Sequence, residues 1–62
     1  MAHKENDLVT IYEDPQTETK REGAAILLEK LREDPEQEYW RVQFVEDEFI
    51  ALRWIKKSQE AQ

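Results

Sequence analysis

With 62 residues, 39% hydrophobic and 39% charged, the chain has room for one small domain and no more. Its formal charge of −6 is spread evenly along the sequence, which argues against the clustered Lys and Arg that phosphate-backbone binding relies on. The absence of cysteine excludes disulfides, thiolate metal sites and thiol nucleophiles, and no apolar run approaches the roughly 18–20 residues of a membrane helix.

Residues 1–6 are polar and lack the apolar stretch of a signal peptide, so a cytoplasmic protein with a flexible N-terminal tail is expected. His3, the only histidine, falls in that tail, where it would lack the fixed geometry of a general base. A single domain then covers residues 7–57, and 58–62 form a second polar tail that holds Ser58, the only serine. Within the domain Leu8-Val9-Thr10-Ile11-Tyr12 is β-branched and aromatic and reads as a strand. Alternation puts Val9 and Ile11 on one face and Leu8, Thr10 and Tyr12 on the other. Pro15 ends it, and the polar run from Gln16 to Glu22 reads as a loop or the approach to a helix.

The next segment, Gly23 to Arg32, admits two readings. Ala24, Leu27, Leu28 and Leu31 fall at i, i+3, i+4 and i+7, and Thr19 with Glu22 imitates a capping box, so periodicity favours a helix over about 17–32. The strand reading turns Ala25 and Leu27 inward, with a bulge near Leu28 returning Leu31 to the core. Further on, Trp40, Val42 and Phe44 alternate with Tyr39, Arg41 and Gln43. Glu46-Asp47-Glu48 makes a turn, and Ile50, Leu52 and Trp54 share a face of the segment after it. These two runs form a β-hairpin, with Glu48 where glycine would ease the turn and with Trp40, Phe44 and Trp54 assigned to the core.

The series Asp7-Leu8-Val9-Thr10-Ile11-Tyr12-Glu13-Asp14-Pro15, Glu22-Gly23-x-Ala25-x-Leu27, Glu38-x-Trp40-x-Val42-x-Phe44 and Arg53-Trp54-Ile55 resembles short uncharacterised microbial and phage-type proteins usually read as small SH3-like barrels. The opening is also similar to the Gly-Asp-x-Val-x-Val start of KOW- and Tudor-like barrels, with Asn6 in place of glycine. The resemblance spans roughly residues 6–55 and contains no catalytic signature. It implies that Gly23 opens a long curved strand. Arg21 stands where the group tends to have proline, Glu48 where it has glycine, and Ala24 and Ile26 where it has polar residues. With this resemblance the expected fold is all-β, a small SH3-like barrel of four or five antiparallel strands closing on Trp40 and Trp54. The alternative is an α+β arrangement, β-α-β-β, with the helix lying on a three-stranded sheet.

No residue set points to catalysis, a cofactor or a metal. The acidic groups Glu13-Asp14, Glu33-Asp34-x-Glu36-x-Glu38 and Glu46-Asp47-Glu48 lack the Asp-x-Asp-x-Asp-Gly spacing of a calcium loop and read as solvated turn carboxylates. Tyr12, Tyr39 and Phe49 fall opposite the inward faces, and rigid rings in that position give contact area at low entropy cost. With Arg41 they are the candidate partner-binding residues of a non-enzymatic protein-interaction module rimmed by acid, which a homodimer would also satisfy. Ala24, Ile26, Leu28, Phe49 and Ile55 form a candidate outer apolar patch. Two other readings are an acidic mimic of nucleic acid that inhibits a basic nucleic-acid-binding protein, and a weak KOW-like nucleic-acid binder.

Overall fold

In the computed structural model, which describes residues 3–59, every regular element is a strand. Leu8–Asp14 forms β1, Thr19–Glu33 forms β2, Gln37–Phe44 forms β3 and Ile50–Lys56 forms β4. All neighbours run antiparallel in a single sheet of order β1-β2-β3-β4, a meander. Each turn is held by an aspartate side chain taking backbone N–H groups, the Asx mechanism that favours this residue at turns. Asp14 Oδ1 accepts from Gln16 N at 3.0 Å, Asp34 Oδ1 from Gln37 N at 3.1 Å and Asp47 Oδ1 from Phe49 N at 3.1 Å.

β2 is the wall that turns this meander into a barrel-like domain. Its register with β1 skips Glu22, and its register with β3 skips Leu28 and then Leu31. Each skipped residue is a β-bulge, which bends the strand and increases its twist. The 15-residue strand thereby pairs β1 along its first half and β3 along its second, and brings β1 and β4 together across the open side. The helical stripe Ala24, Leu27, Leu28 and Leu31 does not correspond to a buried face: only Leu27 of the four is buried, and Leu28 and Leu31 are the bulged residues. Thr19 to Glu22, expected as loop or helix approach, belongs to the strand, and there is no helix over 17–32. Gly23 sits beside the first bulge with φ +153°, a conformation that residues bearing a Cβ rarely adopt.

The core consists of Val9, Ile11, Ala25, Leu27, Trp40, Val42 and Ile55, with Phe44 packed against it. Val9, Ile11, Ala25, Leu27, Trp40 and Val42 are the inward residues expected from alternation. Three assignments change. Leu31 does not return to the core; it occupies the third bulge and is 37% exposed. Ile55 is buried and so leaves the candidate outer patch. Trp54 shares its face with exposed Ile50 and Leu52, not with Trp40.

The register of the last hairpin causes the second and third changes. Phe44 N donates to Phe49 O at 2.8 Å across the turn, and from there Val42 meets Ala51, Trp40 meets Arg53 and Glu38 meets Ile55. Residues directly opposite share a face, and a shift of one residue would have reversed every side chain of β4.

A polar cluster closes one end of the core. Glu38 is fully buried; its Oε1 accepts from Trp40 Nε1 at 3.0 Å and from His3 N at 3.3 Å, and Lys30 Nζ lies 3.6 Å from Oε2. His3, which the sequence places in a tail, is buried here, its Nε2 3.2 Å from the Lys56 carbonyl oxygen. Asn6 N donates to Leu27 O and Leu27 N to Asp7 O, fixing the approach to β1.

Candidate interaction surface

The register leaves an unusual distribution on β4. Its inward positions are Ala51, Arg53 and Ile55, whereas Ile50, Leu52 and Trp54 face out. Burying a large aliphatic or aromatic side chain is worth about 1.5–3 kcal/mol, so this strand leaves its more apolar face unburied. Ile50 is 53% and Leu52 43% exposed.

Two cross-strand rows organise this outer face. Tyr39 pairs with Trp54, their ring centroids 4.8 Å apart and tilted by 37°. They lie at a non-hydrogen-bonded position, where side chains approach most closely, and the separation is that of a favourable aromatic pair. Next along the sheet, Arg41 stands between Leu52 on β4 and Glu29 on β2, with which it forms an ion pair. Gln43 and Ile50 continue the surface towards the turn.

At that turn lies an open cleft of about 400 Å³ whose lining includes Gly23, Phe44, Phe49, Arg53, Arg21 and Asp47. The rings of Phe44 and Phe49 are 6.5 Å apart and nearly parallel. Arg53 Cζ stands 5.9 Å from the Phe44 centroid while its Nε and Nη2 donate to the Glu22 carboxylate at 2.8 and 3.1 Å. The Glu22 hydrogen bonds hold the Arg53 guanidinium above its ordinary pKa, against the opposing effect of burial. An arginine on the inward side of β4 is thus satisfied at the mouth of the barrel.

Of the expected binding residues, Tyr39 and Arg41 share the outer face, and Phe49, 56% exposed, stands at the adjoining turn. Tyr12 is half-buried on β1 opposite Arg21, separated from the other three by β2. Ile50, Leu52 and Trp54 complete the surface and were missed by alternation, which detects two faces but not which one is buried. The charge of Arg53 pointed the other way, and it is accommodated on the inward side only because the Glu22 carboxylate from β2 meets its guanidinium. Ala24, Ile26 and Leu28 are half-buried. Among the described residues no three acidic or histidine side chains converge as metal ligands, and no helix is long and apolar enough to cross a membrane. No protein-family model, curated protein or solved structure matches the chain.

Proposed function

We propose that this domain is a non-enzymatic protein-interaction module whose contact surface is the outer face of β3 and β4 with the adjoining turn. The observation that carries this reading is the outward Ile50–Leu52–Trp54 row, because the one-residue alternative register would bury it. Tyr39 and Trp54 supply a preformed aromatic platform, Phe49 an exposed ring, and Arg41 a directional donor. Glu46, Asp47 and Glu48 form an acidic rim at one end, which favours partners presenting basic residues around an apolar centre.

Binding of the whole chain to an array of purified basic and acidic proteins, itself included, tests the reading. Alanine at Tyr39 or at Phe49 is expected to weaken the associations at least about tenfold, as truncation of buried interface aromatics commonly does, with the circular dichroism spectrum retained. Associations unaffected by both substitutions overturn it. Salt separates the mimic reading: spaced carboxylates standing in for phosphates would lose binding steeply between low and high ionic strength, whereas an apolar contact would persist.

A further inference from the structure

Charge is sorted across this molecule in a way that its total of −6 conceals. The register that turns Tyr39 and Trp54 outward also places Arg32 opposite Tyr39, Lys56 opposite Gln37, and Arg41 between Glu29 and Leu52 on the same face. Among the described residues paired on this face of β2, β3 and β4, Glu29 is the one acid. The Tyr39–Trp54 end is therefore basic, although carboxylates outnumber Lys and Arg 15 to 9 in the whole chain. Arg41 is answered by Glu29, whereas the side chains of Arg32 and Lys56 have no partner among the described residues. The acids nearest in the chain do not meet them: Glu33 takes Lys30 and Lys57, and Glu36, beside Lys56 in a shallow hollow, forms no ion pair with it. Arg32 stands one strand to one side of the aromatic pair and Lys56 one step along β4 on the other, a Cα separation of about 12 Å at ordinary sheet spacings.

We infer that the Tyr39–Trp54 end of this face docks an extended acidic segment of another protein, its aromatic side chain over the two rings and its carboxylates on Arg32 and Lys56. The inference rests on the reading of this face as a contact surface and names the chemistry of its occupant. Two residues four apart on an extended segment point the same way and lie about 13 Å apart, with the residue midway between them facing the same side. An acid-x-aromatic-x-acid stretch thus matches the spacing of the two cations about the platform. The polarity of the face orients the rest of the partner. From the basic end the surface continues over Leu52 and Ile50 to the acidic turn Glu46-Asp47-Glu48, so the partner's acidic stretch covers the platform and its basic residues reach the turn. A nucleic acid fits this gradient poorly, because its phosphates repeat evenly and the next ones along the same line would fall on Leu52, Ile50 and that turn.

The two indole N–H signals, of Trp40 inside and Trp54 outside, make heteronuclear NMR of the full chain the natural test. The probe is the end-blocked peptide Glu-Ser-Phe-Ser-Glu, compared with a peptide carrying Lys for both Glu residues, one carrying Ser for Phe, and a short oligothymidylate. The acidic probe is expected to move the Trp54 signal, to leave that of Trp40 in place, and to bind at least about tenfold more tightly than either control peptide. Arg32→Ala and Lys56→Ala are each expected to weaken it about two- to fivefold, the range of an exposed charge pair, and Arg32→Lys to retain most of the affinity. Arg32→Glu with Lys56→Glu is expected to weaken the acidic probe at least about tenfold and to strengthen the lysine peptide. No movement of Trp54 at about 5 mM acidic probe, where a Kd of ~1 mM would fill most sites, overturns the inference. So does equal binding of the lysine peptide, or affinity for the acidic probe that survives the double reversal. Tighter binding of the oligothymidylate, lost on that reversal, overturns it in favour of a phosphate backbone. If the acidic probe fails while associations with other proteins still require Tyr39 and Phe49, this inference falls and the broader reading stands.

Discussion

Glu48 has φ +61°, in the left-handed region that costs a residue with a Cβ about 1–2 kcal/mol. Glu48→Gly removes that cost and loses part of the gain to the greater freedom of the unfolded chain, so a net stabilisation of about 0.5–1 kcal/mol is expected in urea denaturation. Gly23 gives the opposite case. A Cβ built there would meet Phe44 Cδ1 at 3.5 Å, an ordinary contact, so space is not the obstacle. The φ of +153° is, and Gly23→Ala is expected to destabilise by about 1–3 kcal/mol. Glu38→Ala would leave Trp40 Nε1 and His3 N without their acceptor inside the protein, a loss of about 2–4 kcal/mol. Glu38→Gln, which keeps an acceptor oxygen, is expected to lose distinctly less in the same assay.

At the scale of elements, the end of β2 is bound to the rest of the molecule by charge. Glu33 takes hydrogen bonds from Lys30 Nζ at 2.7 Å and Lys57 Nζ at 2.6 Å, and these lower its pKa from 4.5 to about 2. A carboxylate whose folded pKa is depressed adds stability that is present above its unfolded value and is lost as the pH falls through the folded one. The melting temperature is therefore expected to fall between pH 4.5 and 2, and Lys57→Ala to reduce that fall. The pairs are exposed, so added salt should reduce it as well. The elements themselves were unevenly legible. β1 and the β3–β4 hairpin followed from alternation and turn residues, because both are regular. β2 was not determined by periodicity: Ala24, Leu27, Leu28 and Leu31 fit a helical stripe although only Leu27 of them is buried, and only the resemblance tipped the reading towards strand. The buried face of β4 was misread because hydrophobicity favours Ile50, Leu52 and Trp54, whereas the Asp47 turn sets the register. Tyr39 and Arg41 could be found from the sequence since they oppose correctly identified inward residues. Phe49 was placed outward by opposing Ile50, Leu52 and Trp54, which themselves face out, and it is exposed because it stands at the turn beside Phe44. The Tyr39–Trp54 pair could not be found, since it exists only in the observed register.

The whole molecule is small, with a radius of gyration of 10.2 Å around a core of seven buried apolar side chains among the described residues. A core of this size rarely supplies more than about 3–5 kcal/mol, and association is a common way for such domains to gain the rest. Leu27 lies at the centre of the fold, fully buried on the strand shared by both halves. Leu27→Ala, at about 2–4 kcal/mol, is thus expected to consume most of the stability and leave a chain substantially unfolded by circular dichroism at 37 °C.

The separation of the two tryptophans has an optical consequence. Trp40 is sealed in the interior with its indole N–H on a carboxylate, whereas Trp54 lies half-buried on the outside against Tyr39. Emission from a Trp54→Phe chain should report only loss of the native state, shifting to the red as the protein unfolds. A Trp40→Phe chain should instead report when the outer platform is covered, so one molecule carries separate fluorescent gauges of its integrity and of its occupancy.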